Sequence, residues 1–235
     1  MNTKLAPIVL ALVSLSACSA QVDADHQGEP LATISGTVSS TRSAPTSGCE
    51  VTALWVNSST SPDTWGADSV AVEGNFPSNF KLSIYEPPAD HLLNDFEHGG
   101  GAVRFGVAYL VANAPGADFD KSDGGFLGAD TEHLLVYVPE DVPAGSYASY
   151  RLRSTPKAGF HLYGVYRPTE EEVQARKACA ESLTSEGDQW YVDIYEKCGG
   201  YGSFDDFVPL ESDLDTPLHI ELVDDIEQLD FPNWT

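Results

Sequence analysis

Basic residues are scarce: 12 Lys and Arg stand against 36 Asp and Glu in 235 residues, a formal net charge of −24. A phosphate backbone is held by dense Lys and Arg, so no nucleic-acid partner is expected. Electrostatic docking on anionic lipid headgroups is disfavoured for the same reason. Cysteine is sparse too, with four residues and no CxxC spacing, which leaves zinc-ribbon and thioredoxin-like chemistry unsupported. Six histidines, at 26, 91, 98, 133, 161 and 219, form no HExxH pair, which argues against a zinc hydrolase. No G-x-S-x-G turn is present, and strands do not alternate with helices as α/β hydrolases require. Long apolar runs are missing as well. The stretch 6–15 has ten residues, whereas a membrane-spanning helix needs roughly twenty.

What is present begins at the N-terminus. Lys4 precedes that short apolar stretch, and small residues follow it, the pattern of a secretory signal peptide over residues 1–17. Its end, Leu15-Ser16-Ala17-Cys18, resembles the lipobox of bacterial lipoproteins. The resemblance implies cleavage before Cys18, lipid on the Cys18 thiol and acylation of the new amino group. Acyl chains hold through about 0.8 kcal/mol per buried CH₂, and two or more chains anchor stably. Ser19 after the cysteine resembles the outer-membrane address of bacteria that sort by this position. Residues 18–30 then carry the lipidated cysteine and a polar, flexible tether, and residues 31–235 are expected to form one domain.

Export places the remaining cysteines in an oxidising compartment. Cys179 and Cys198 are the expected disulfide pair, being near in sequence; closing a loop of about twenty residues contributes roughly 3 kcal/mol. Cys49 is then a lone, small, buried hydrophobe on a strand.

Apolar periodicity is mainly of period two. Strands are expected over residues 31–38, 49–56, 68–72, 80–85, 133–138, 160–166, 190–195 and 218–223. Residues 102–112 are almost wholly apolar and read as a central strand buried on both faces. Thr169 and Glu172 form a capping box, with acidic residues in the first turn, and open a surface helix near 170–183. Eight or nine short strands and one helix make a mainly β chain, expected as an antiparallel β-sandwich. ISGTV at 34–38 and GNFPSNFKLSIYEPP at 74–88 resemble the opening of prealbumin-like sandwiches and of secretion-chaperone-type lipoproteins of Gram-negative bacteria. That resemblance spans residues 31–112 and implies a fold, with no functional residue attached.

Several constellations bear on chemistry. Asp118, Asp120, Asp123 and Asp130 alternate around a long loop, and clustered carboxylate oxygens suit Ca²⁺. A standard EF-hand is excluded, because the glycine falls one place late and Ala129 stands where the bidentate glutamate belongs. A looser Ca²⁺ loop and a merely solvated acidic loop both remain open. His98-Gly99-Gly100-Gly101 resembles the oxyanion loop of some esterases, but without a nucleophile elbow it reads as a loop before a strand. Adjacent carboxylates at Glu140-Asp141 and Asp205-Asp206 would point to opposite faces of a strand and name no glycosidase pair. Trp190, Tyr191, Tyr195, Tyr201, Phe204 and Phe207 are either core or a sugar-stacking surface. From 201 to 235 there are ten Asp and Glu and no Lys or Arg, a solvated face or a contact for a basic partner or divalent ions. Asn57-Ser58-Ser59 and Asn233-Trp234-Thr235 fit a glycosylation triplet that has no role in a bacterial lipoprotein.

These features together lead to the expectation of a lipid-anchored, non-catalytic binding protein of the cell envelope, attached through Cys18 and meeting an envelope protein or glycan. A Ca²⁺-dependent adhesion or carbohydrate-binding module is the first alternative, and a carboxylate hydrolase the second.

Overall fold

A computed structural model describes residues 28–43, 46, 48–57, 64–73, 75–97, 102–117, 125–200 and 207–231. The signal segment and Cys18 lie outside the described residues. So do most of the tether, the 98–101 glycine string, residues 58–59 and the 233–235 triplet.

Strands β1 (Ala32–Ser40), β2 (Gly48–Asn57), β3 (Thr64–Glu73) and β4 (Ser78–Ile84) come first. A short 3₁₀ turn, Asp90–Leu92, leads to β5 (Asn94–Glu97), β6 (Ala102–Asn113), β7 (Phe126–Ala129) and β8 (His133–Val138). Then follow α1 (Tyr147–Leu152), β9 (Gly159–Tyr166), α2 (Glu170–Glu181) and α3 (Asp188–Asp193), the last running into a π-helical turn, Ile194–Cys198. Strands β10 (Val208–Ser212) and β11 (Leu218–Leu222) and a 3₁₀ turn, Ile226–Gln228, complete the described chain. The protein is mainly β, with a large mixed sheet.

Strand β6 is the hub. It pairs with β2, β5, β7 and β8, changing partners along its length. Its alternating apolar residues divide between two buried clusters. Ala108, Leu110 and Ala112 join Ile34, Val51, Trp55, Leu82 and Ile220 in the larger cluster. Val103, Phe105 and Val107 join Leu134, Val136, Ala148, Leu152 and Tyr163 in the smaller one, which α1 covers. The central strand buried on both faces is therefore present as the apolar run indicated.

Three expectations are corrected. The sheet is mixed, because β11 lies parallel to β1, with Val38 opposite Ile220; the other pairs among the described residues are antiparallel. Parallel pairing joins the first and last described strands, a non-local event that periodicity does not report. Eleven strands are described rather than eight or nine, the additions including β5, β7 and β10, which are too short or too polar to alternate visibly. Residues 190–195, expected as a strand, are helical. Aromatic and β-branched residues suggested a strand there, but partners four apart decide for a helix: Gln189 donates to Asp193 at 2.9 Å, and Lys197 pairs with Asp193 at 2.7 Å.

The expected helix is α2, and its capping box is formed: Thr169 Oγ1 accepts from Glu172 N–H, and Glu172 Oε2 accepts from Thr169 N–H at 2.7 Å. Only Ala180 of α2 is buried, as a surface helix requires. Cys179 and Cys198 form the disulfide, which joins α2 to the π-helical turn. Cys49 is free and 1% exposed on β2. Burial, reinforced by the Glu50 charge, pushes its thiol up to about 11.

Two glycines admit β11 between β1 and β7. A Cβ on Gly36 would overlap the Leu218 carbonyl, and one on Gly128 the Glu221 carbonyl. Both neighbours are backbone and have no room to yield. Gly128→Ala is expected to destabilise by more than about 3 kcal/mol, the range of severe packing defects. Urea unfolding measures this, and a loss below about 1 kcal/mol, the ordinary size for a point substitution, would refute the close-approach account.

Candidate functional site

Of the four carboxylates singled out for calcium, Asp118, Asp120 and Asp123 lie outside the described residues. Asp130 is described. It is 2% exposed and sits where β7, β8 and β11 meet. Its Oδ1 accepts from the N–H groups of Glu132 at 2.8 Å and His133 at 2.9 Å, an Asx turn that starts β8. Oδ2 accepts from the N–H of His219 at 3.4 Å, which fastens β11 to the same point. His133 Nδ1 lies 3.2 Å from both oxygens. The carboxylate is thus spent on holding strands together. Among the described residues no group of three His, Cys, Asp or Glu is arranged to hold a metal ion.

The base of the acidic loop is held by a second polar set. Thr52 and Asn113, both fully buried, lie diagonally across the β2–β6 pair, where Asn113 is opposite Glu50, and Thr52 Oγ1 donates to Asn113 Oδ1 at 2.7 Å. Ser69 Oγ is 2.9 Å from Thr52 Oγ1. Asn113 Nδ2 and Gly116 N–H both donate to Glu50, at 3.4 and 3.3 Å. Ala114 N–H reaches Gly125 O at 2.8 Å and draws the two ends of the loop together. Nothing in the sequence flagged Glu50, because its loop partner is far away along the chain.

Ser39 Oγ and His219 Nε2 are 3.1 Å apart, a serine–histidine contact joining β1 to β11. A hydrolytic triad needs a carboxylate on the other ring nitrogen. Asp130, the nearby carboxylate, instead meets His219 through its backbone N–H.

One concavity among the described residues is an open groove of about 400 Å³ between α1 and the π-helical turn, within the usual range for ligand sites of about 300–1,000 Å³. Tyr150, Arg153, Ser154, Thr155, Tyr195 and Glu196 contribute to its walls. Contacts across it set its shape. Tyr150 Oη donates to Glu196 Oε1 at 2.7 Å, and the rings of Tyr150 and Tyr195 lie near-parallel, 15° apart, with centroids separated by 6.4 Å. Tyr147 meets Tyr195 edge-on at 6.0 Å. The Glu196 carboxylate holds the Tyr150 proton and raises the phenol above its usual range. Arg153, the C-cap of α1, has φ 53°, the one positive value at a non-glycine among the described residues. Such a conformation costs about 1–2 kcal/mol for an L-residue. Its guanidinium donates to the Gly199 carbonyl, just beyond the π-helical turn.

The wall carrying Tyr195 and Glu196 is held by local charge. Lys197 beside Asp193, with the Gln189 amide, holds that carboxyl down at about 2. Of the aromatics singled out, Tyr195 faces this groove and Phe207 is core. Trp190 is half-buried on α3, and Tyr201 and Phe204 lie outside the described residues, as do Asp205 and Asp206. Tyr150 and Arg153 were missed, because α1 is a six-residue helix that the sequence pattern did not reveal. Its one legible signal is the N-cap Ser146, which accepts from Ser149 N–H at 3.2 Å.

The Asp130–His133 pair generates a prediction. The hydrogen bond to Asp130 raises the His133 pKa above its usual 6.5. A raised folded-state value stabilises fully below pH 6.5 and is lost as pH climbs through the raised value. Wild type should therefore lose melting temperature across that window relative to His133→Gln, and parallel profiles would refute the pairing. Asp130→Ala leaves buried N–H groups unpaired and is expected to cost about 3 kcal/mol in urea unfolding. Compared with protein-family models, curated proteins and solved structures, the chain finds no match.

Proposed function

We propose that this chain is a lipid-anchored, non-catalytic binding protein of the cell envelope, held to the outer membrane through acylated Cys18. The observation that carries the reading is Leu15-Ser16-Ala17-Cys18, placed directly after a short apolar run and before a polar stretch that reaches β1. Small residues before a cysteine at that position suit cleavage and acylation, and the polar stretch after it suits a tether.

The domain that the tether carries is read as a β-sandwich. Apolar side chains of β1, β4 and β11 share one buried cluster with those of β2 and β6, which supports two facing layers. Among the described residues, no helix is long and apolar enough to cross a membrane. In this reading acyl chains supply the attachment, and the −24 charge keeps the domain off anionic headgroups.

The test is fractionation of a Gram-negative host expressing the full chain. Wild type is expected in the outer-membrane fraction after a high-salt wash, with Cys18→Ala in the soluble fraction. A Cys18→Ala protein that stays with the washed membranes overturns the reading.

A further inference from the structure

Helix α2 is held to the domain chiefly by one covalent bond. Of its twelve residues only Ala180 is buried, so apolar contact contributes little to its docking. It packs on the π-helical turn. Arg176 reaches the Gly199 end of that turn, with Nε 3.9 Å from where a Gly199 Cβ would stand. Its Nη1 is buried without a hydrogen-bond partner, which opposes docking. The Cys179–Cys198 disulfide spans the same contact. Both cysteines are part-exposed, so a thiolate can reach the sulfurs from solvent. The turn is fixed from its other side. Tyr150 donates to Glu196 at 2.7 Å, Arg153 donates to the Gly199 carbonyl, and Tyr195 lies against the rings of Tyr147 and Tyr150. Once the disulfide opens, the turn stays on α1 and α2 is the part that leaves.

We infer that Cys179–Cys198 is a redox latch, which a dithiol reductant opens to release α2 from the π-helical turn while the β core stays folded. A thiolate of the reductant attacks one sulfur and forms a mixed disulfide, and its second thiolate then displaces the remaining cysteine. The latch gains two electrons and becomes two thiols, the reductant becomes a disulfide, and its two protons pass to Cys179 and Cys198. A freed α2 has twelve residues, a length at which an isolated helix is marginal in water. Thr169 and Glu172 still cap its first turn, but its last turn has lost its attachment. No residue of α2 or of the π-helical turn belongs to either buried cluster, so the core has no need of the bond. The latch is independent of the Cys18 anchor.

The test treats the full chain with dithiothreitol and follows two readouts. One is tryptic cleavage after Arg176 and Lys177; the other is alkylation of each cysteine by iodoacetamide, located by mass spectrometry. Cys49, 1% exposed on β2, reports on the core. Reduction is expected to raise the cleavage rate about tenfold or more, since proteolysis follows the population of the open form. Cys179 and Cys198 should alkylate while Cys49 stays unmodified. The full-chain Cys179→Ser/Cys198→Ser variant should be cut at the reduced rate with or without dithiothreitol. Cleavage that reduction leaves unchanged overturns the latch, and so does a disulfide that survives dithiothreitol in the folded chain. Alkylation of Cys49 along with the pair, in reduced wild type or in the double variant, overturns it too, because the bond would then hold the whole core. Membrane retention through Cys18 is measured separately and moves with none of these outcomes.

Discussion

The structure depends on one strand buried on both faces. With no water on either side, β6 must pair its backbone N–H and C=O groups with other strands, and β2, β5, β7 and β8 supply them. Its side chains must then satisfy two cores at once. Small Ala108 and Ala112 flank Leu110 on one face, while Val103, Phe105 and Val107 fill the other. Everything that positions the groove follows, since α1 is held by the second of these cores through Ala148 and Leu152.

A second constraint comes from β11. Its arrival between β1 and β7 pairs the last described strand in parallel with the first, and backbone atoms pass so closely that only glycine fits at positions 36 and 128. Asp130 secures the same junction by accepting from β8 and β11 backbone. A buried carboxylate with that many donors is a structural clamp, since an unpaired charge there would be costly. The acidic loop therefore departs from a rigid base, braced by Asp130 at one end and by Glu50, Thr52 and Asn113 at the other.

How much was legible depends on how local each signal was. Strands β2, β6 and β8 were read because a half-buried or fully buried strand writes its burial directly into consecutive residues. The α2 start was read because Thr169 and Glu172 cap each other three residues apart. Residues 190–195 misled, because Trp190 and Val192 favour strands while the contacts that win, Gln189–Asp193 and Asp193–Lys197, sit at helical spacing. The charge of Asp130 is visible in the sequence, but its β11 partner, His219, is far along the chain.

The amino-acid sequence by itself determined the mainly β character, the doubly buried central strand, the capped surface helix and the Cys179–Cys198 pair, each of which leaves its mark within a short stretch of residues. Only the tertiary structure decided the parallel β1–β11 pairing, the helical course of residues 188–198, and the meeting of Tyr150 and Arg153 with Tyr195 and Glu196. The physical reason is separation: such contacts form only after a long loop has closed, and loop closure leaves no periodic trace in the residues it joins.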